Sequence, residues 1–189
     1  TDLDAVTINS AADVTANAFD AASITQSAGS GTTTFNGAVN TTGAGGIDLN
    51  GTIFTINDTI DTANNGGLSV TNAGLLTLAA GADLTLDGAF LQDGAGSVRT
   101  AGDITTTNDN ITFQQDVTLT DNVILSTGAG AGTIDFNDTL DGGFDLGLTA
   151  GTGDVVFSSA VGATTDLDAV TINSAADVTA NAFDAASIT

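Results

Sequence analysis

Apolar residues in this chain recur at every second position over short stretches. Each stretch is broken after a few residues by Gly, Asn or Asp. Ile47-Asp-Leu49, Leu68-Ser-Val70, Val123-Ile-Leu125, Phe144-Asp-Leu146 and Val170-Thr-Ile172 alternate in this way, and Gly128-Ala-Gly130-Ala-Gly132 and Gly151-Thr-Gly153 are typical breaks. Period two belongs to a pleated strand with one buried face, and the breaks are residues that tolerate turn conformations. Ala16 to Ala22 is the one tempting helix, but its Asn and Asp and its lack of caps argue against it. The pattern predicts an all-β chain.

One phrase recurs: an apolar residue, three small or polar residues, then another apolar residue. It appears at Phe35–Val39, Ile56–Ile60, Leu86–Phe90, Phe113–Val117, Phe136–Leu140 and Phe157–Val161, with a looser copy at Ala180–Phe183. The spacings between copies run 21, 30, 27, 23, 21 and 23, and 19 closes the long repeat described below. Units of this size with two or three short strands predict a parallel β-helix, or β-solenoid, with coils of roughly 20–23 residues. Seven phrases close the repeat, and the wide spacings across Leu68 to Leu78 and Val98 to Ile104 leave room for an eighth, so about 7–8 coils are expected. An antiparallel sandwich of short strands is the alternative. The absence of Pro favours the solenoid, whose interior strands must each donate and accept in the ladder.

The long repeat is literal. Thr1 to Thr25 is identical, letter for letter, to Thr165 to Thr189. The simplest account is a tandem array, with residues 1–164 as one full repeat and 165–189 as the start of the next, continuing the same solenoid. The array itself is then the main functional clue.

Composition narrows the function further. Only twelve residue types occur, and Lys, His, Glu, Cys, Met, Pro, Trp and Tyr are absent. With 23 Asp against the single Arg99, the net charge is −22. Nucleic-acid binding and attraction to an anionic membrane both need Lys and Arg in number, so neither is expected. Nor does any stretch read as a membrane-inserting segment. One repeat carries 19 Asp and one Arg. Spread over seven coils, this is one negative charge about every 2 Å, close to the line charge of duplex DNA at about 1.7 Å. Such a rod condenses counterions, so divalent cations and further copies of itself are the expected partners. Zero Cys excludes disulfides and thiolate metal sites.

The phrases Gly153-Asp-Val-Val-Phe-Ser-Ser-Ala-Val-Gly162 and Thr33-Thr-Phe-Asn-Gly-Ala-Val-Asn-Thr-Thr42 resemble those of giant bacterial surface proteins of the filamentous-haemagglutinin-like and β-strand-repeat type. The resemblance extends over nearly the whole chain and rests on patterning. It implies a right-handed β-helical exoprotein, a cell-surface or extracellular location and a frequent adhesin role, and it brings no catalytic motif.

Candidate sites are few. Gly43-Ala-Gly-Gly-Ile-Asp48 and Asp141-Gly-Gly-Phe-Asp145 faintly resemble the glycine-aspartate calcium nonapeptides of repeats-in-toxin proteins, without their nine-residue recurrence. Asp48, Asp141 and Asp145 are therefore candidate low-affinity Ca²⁺ ligands, against the plainer reading that Asp and Asn form turns. No cofactor is required. A lyase on this fold would need Arg, Lys, His or Tyr, and only Arg99 is present. A hydrolase needs only paired carboxylates, which so many Asp would supply by accident. Thr32-Thr-Thr34, Thr105-Thr-Thr107 and Thr118-Leu-Thr120 are too sporadic for an ice-binding array, and five Asn-x-Thr sequons are about what composition predicts. The chain therefore reads as a structural, non-enzymatic protein: a tandem-repeat fibre, sheath or stalk. The alternative is the stalk of a large adhesin whose binding domain lies elsewhere.

Overall fold

The computed structural model describes residues 2–189. Among them, all twenty-four regular elements are strands. The chain winds through three faces in a fixed order, and every strand pairs in parallel with the strand one coil away.

Face 1 carries Val14–Ala16, Thr32–Phe35, Ile53–Ile56, Leu76–Leu78, Val98–Thr100, Val117–Leu119 and Leu140–Asp141 in one seven-stranded sheet. Single bridges from Leu140 to Val161 and from Val161 to Phe183 continue it. Face 2 carries Val39–Thr41, Ile60–Thr62, Leu84–Leu86, Ile104–Thr106, Val123–Ser126 and Leu146–Thr149. Face 3 carries Ile47–Gly51, Leu68–Asn72, Phe90–Gln92, Ile111–Phe113, Ile134–Phe136, Val155–Phe157 and Val178–Ala180. The strand Phe19–Gln26 turns the corner between faces 2 and 3 unbroken. Its Phe19 pairs with Val39 and its Ile24 with Ile47, which joins both faces into a 17-stranded sheet. This is a parallel β-solenoid of about nine coils, with the rest of each coil supplying the crossover that parallel neighbours require.

Alternation decides which side chains enter the core. Ile111–Phe113 and Val98–Thr100 each bury their first and third residues and turn the middle one outward. Buried residues form columns along the axis. Phe90, Phe113, Phe136, Phe157 and Phe183 stack with ring centroids 5.1 to 5.3 Å apart. The small corner residues are a packing requirement: a Cβ on Gly96 would lie 1.6 Å from the carbonyl oxygen of Gly74 in the neighbouring coil. Asn64 and Asn65 take φ of 55° and 63°, a conformation Asn tolerates better than other non-glycine residues.

The coil count falls within the expected 7–8 per repeat and is not a whole number. Down face 3, one position is held in turn by Val6, Ile24, Ile47, Leu68, Phe90, Ile111, Ile134, Val155 and Val178. Val170, the copy of Val6, pairs instead with Leu146 on face 2. From Val6 to Val170 the chain makes seven coils and then two further faces. The coil from Val6 to Ile24 is the shortest on this column, and the later ones, such as Ile47 to Leu68 or Ile111 to Ile134, are slightly longer.

The recurring phrase turns out to mark a corner rather than a coil. Phe35–Val39 and Ile56–Ile60 turn from face 1 to face 2. Leu86–Phe90 turns from face 2 to face 3. Phe113–Val117, Phe136–Leu140 and Phe157–Val161 turn from face 3 to face 1. The two wide spacings each contain one coil plus one face.

Candidate functional surface

The corners are where the aspartates act. A carboxylate or amide oxygen at one corner accepts a backbone N–H from the next coil. Asp13 accepts from Thr32 (2.8 Å), Asp83 from Asp103 (3.0 Å) and Asp103 from Ile124 (2.7 Å). Asn122 accepts from Asp145 (2.9 Å), Asn110 from Thr133 (2.9 Å) and Asp154 from Asp177 (3.1 Å). A corner breaks the strand ladder and leaves amides without a ladder partner. An ionised carboxylate accepts them with a charge-assisted bond. Part of the acidity is therefore tied to coil-to-coil capping.

The three candidate calcium ligands fall in different places. Asp48 lies outward on face 3, between Thr25 and Ser69 in the ladder. Asp141 ends the last full strand of face 1, where its Oδ1 accepts the N–H groups of Thr164 (2.8 Å) and Thr165 (3.1 Å). Asp145 lies at the corner leading to face 2 and accepts the Ala169 N–H (3.0 Å). Two of the three already serve as corner acceptors, and among the described residues no group of three or more potential metal-ligating side chains converges.

Two charged residues stand apart. Arg99 is exposed at the centre of Val98–Thr100, paired in the ladder with Thr77 on one side and Thr118 on the other. Asp135 is half-buried on face 3, where burial and then the neighbouring Asp154 push its carboxyl above the ordinary 3.8.

Sequence reasoning missed a polar seam inside the solenoid. At the corner from face 3 to face 1, the buried Gln92 Nε2 donates to Asn72 Oδ1 (2.8 Å). Gln92 Oε1 accepts the N–H groups of Gln114 and Gln115 (3.1 and 3.2 Å). Asn72 Nδ2 donates to the carbonyls of Gly74, Gly96 and Ser97. At the corner from face 2 to face 3, the buried hydroxyls of Thr62, Thr106 and Thr127 donate to the turn carbonyls of Gly66, Asp109 and Gly132. Parity was the available signal. In Phe90-Leu-Gln92 and Ile60-Asp-Thr62, the polar third residue shares the inward side of the first. The Asn72 and Gln92 bonds fix one coil against its neighbour, because a slip in register would leave buried polar groups unpaired, whereas the threonine bonds close the turn within their own coil. The hydroxyl of Thr41, on the same inward column, has no partner among the described residues.

Among the described residues, no helix is long and apolar enough to cross a membrane. Comparison with protein-family models, curated proteins and solved structures finds no match. The fold is therefore defined by its geometry: a three-faced parallel β-solenoid, compatible with β-helical repeat proteins.

Proposed function

We propose that this chain is part of a tandem-repeat structural protein in which copies of residues 1–164 run on as one solenoid rod. The observation that carries the reading is the pairing of the duplicated segment. Leu3 pairs with Ala21, Ala5 with Ser23 and Val6 with Ile24; Leu167 pairs with Ala185, Ala169 with Ser187 and Val170 with Ile188. Both copies therefore fold onto themselves in the same register. The phenylalanine column also passes through the junction residue. Phe183 packs on Phe157 below it, and its copy Phe19 packs on Phe35 above it. A repeat that receives the preceding coil and offers the next in this way can be concatenated without a linker.

A uniform rod with 19 Asp and one Arg in every repeat suits an extracellular filament, sheath or stalk on a bacterial surface. The resemblance to filamentous-haemagglutinin-like exoproteins supports that location. Divalent cations would draw such rods together side by side, because each rod condenses counterions along its length. Chains of one, two and three repeats, imaged by electron microscopy, test the proposal. Each added repeat should lengthen a straight rod by about 37 Å, at about 4.8 Å per coil. Separate beads, or particles whose length does not grow, would overturn it. Light scattering that ignored millimolar Ca²⁺ would remove the lateral-association part alone.

A further inference from the structure

We infer that successive repeats are related by a screw that turns the rod by one face per repeat, so that each surface feature winds around all three sides. The inference rests on the array reading above and adds to it a symmetry that concatenation alone does not require.

Three positions on successive faces give the same step. Val6 lies on face 3 and its copy Val170 on face 2. Val14 lies on face 1, paired with Thr33, while its copy Val178 lies on face 3, paired with Val155. Phe19 lies on face 2, paired with Val39, while its copy Phe183 bridges to Val161 on face 1. Every element of the copy is displaced by one face in the same sense, and the local pairing within the copy is unchanged. One repeat thus fills twenty-three faces, where seven coils would need twenty-one and eight would need twenty-four.

The three corners can exchange roles because they are built alike. Each is a short run of small or polar residues between two inward positions, held by an apolar side chain or by a buried Thr, Asn or Gln that bonds the turn, and Gly, Asn and Asp form the run at all three. With a whole number of coils per repeat, Arg99 would recur in a single line down face 1, as would each outward aspartate down its own face. With twenty-three faces, the Arg99 position passes from face 1 to face 3 to face 2 in successive repeats. Only every third repeat, about 110 Å along the axis, places the same residues on the same side. A neighbouring rod drawn in by divalent cations would meet the same average charge pattern from whichever side it approached.

Helical reconstruction of the multi-repeat filament by cryo-electron microscopy tests this directly. The expected result is a rise of about 37 Å per repeat with a turn of about 120° beyond the coil's own twist. A rise of about 34 or 38 Å with no such turn would overturn the screw while leaving the array intact. Absence of any rod would remove the array and the screw with it. A second measurement avoids reliance on high resolution. In a three-repeat chain carrying Arg99→Cys in every repeat, gold-cluster labels should project on three different sides of the rod. Labels in one straight line would overturn the inference.

Discussion

The same sequence, described from residue 2 in the first copy, occupies both ends of the described solenoid, and its burial is opposite. In the first copy, Leu3 is 53% exposed and Ile24 is 1% exposed; in the second, Leu167 is 1% exposed and Ile188 is 56% exposed. The first copy is covered on the side of its later residues by Thr32–Phe35 and Ile47–Gly51. The second is covered on the side of its earlier residues by Leu146–Thr149 and Val155–Phe157. Sequence is held constant here, so burial is shown to come from the neighbouring coil and not from the segment. Combined, the two copies show a segment covered on both sides. A solenoid coil is stable to the extent that it is stacked, and each interface adds its own increment.

The harshest way to probe this comparison is to cut the core away from the ends. Phe136 is stacked on Phe113 and Phe157, each at 5.3 Å, in nearly parallel rings. Phe136→Ala should cost about 3–5 kcal/mol in urea unfolding. The same change at Phe183, half-buried and stacked on one side only, should cost less than half as much. Equal losses would mean that coils do not draw their stability from both neighbours. Next in size is the pair Leu3→Asp and Leu167→Asp. The former leaves its charge in water and should shift the unfolding midpoint little. The latter places a carboxylate in an apolar site and should cost about 2–3 kcal/mol, limited by the smaller cost of peeling off the last coil.

The comparison also shows which parts of the structure were legible in the sequence. Strand identity was, because alternation in segments such as Ile111-Thr-Phe113 is read at single-residue spacing and each strand is buried on one side only. Ala16 to Ala22 was correctly denied a helix: its latter half lies in the strand Phe19–Gln26. The approximate number of coils was legible too, but not the fractional one, because a local phrase reports a corner and all three corners use similar turn residues. Leu86-Asp-Gly-Ala-Phe90 and Phe35-Asn-Gly-Ala-Val39 look alike, yet they turn different corners. The role of the aspartates was hidden for a related reason. Asp103 caps Ile124 and Asp145 caps Ala169 only once the coil register is known. A turn-forming Asp and a capping Asp are the same letter. Asp48 and the pair Asp141 and Asp145 lie in glycine-aspartate phrases that look alike in sequence, whereas the fold distributes residues by face.

A smaller effect separates interior from end by rate. Trypsin needs an extended, freed segment, and Arg99 lies in a strand paired on both sides. Cleavage there should require several coils to open. An arginine placed at Thr179, exposed on a strand paired only with Val155–Phe157, should be cut roughly tenfold or more faster under native conditions. The measurement is the time course of fragments by mass spectrometry. Faster cutting at Arg99 would show that the interior coils open independently of the ends.

The smallest expected effect concerns Asp135 against the other aspartates. Its carboxyl is disfavoured as an anion, first by burial and then by Asp154. The folded state therefore binds a proton there more tightly than the unfolded chain does. The sign follows by linkage: stability is lost as the pH rises from the ordinary 3.8 through the raised folded value, and above both the full penalty is present. Asp135→Asn removes that penalty. Solvent screens a half-buried group, so the variant should be more stable than the parent at neutral pH by only about 0.5 kcal/mol. The advantage should vanish once the pH falls below the ordinary aspartate range, where both forms are neutral. Asp103→Asn makes the contrast sharp, because the Asp103 carboxylate accepts the Ile124 N–H across the coils. That variant should gain nothing at neutral pH, since its amide oxygen replaces a charged acceptor with a neutral one. Urea midpoints across the pH range for both variants measure the difference. If Asp135→Asn were destabilising at neutral pH, the half-buried carboxylate would be contributing an interaction that outweighs its desolvation.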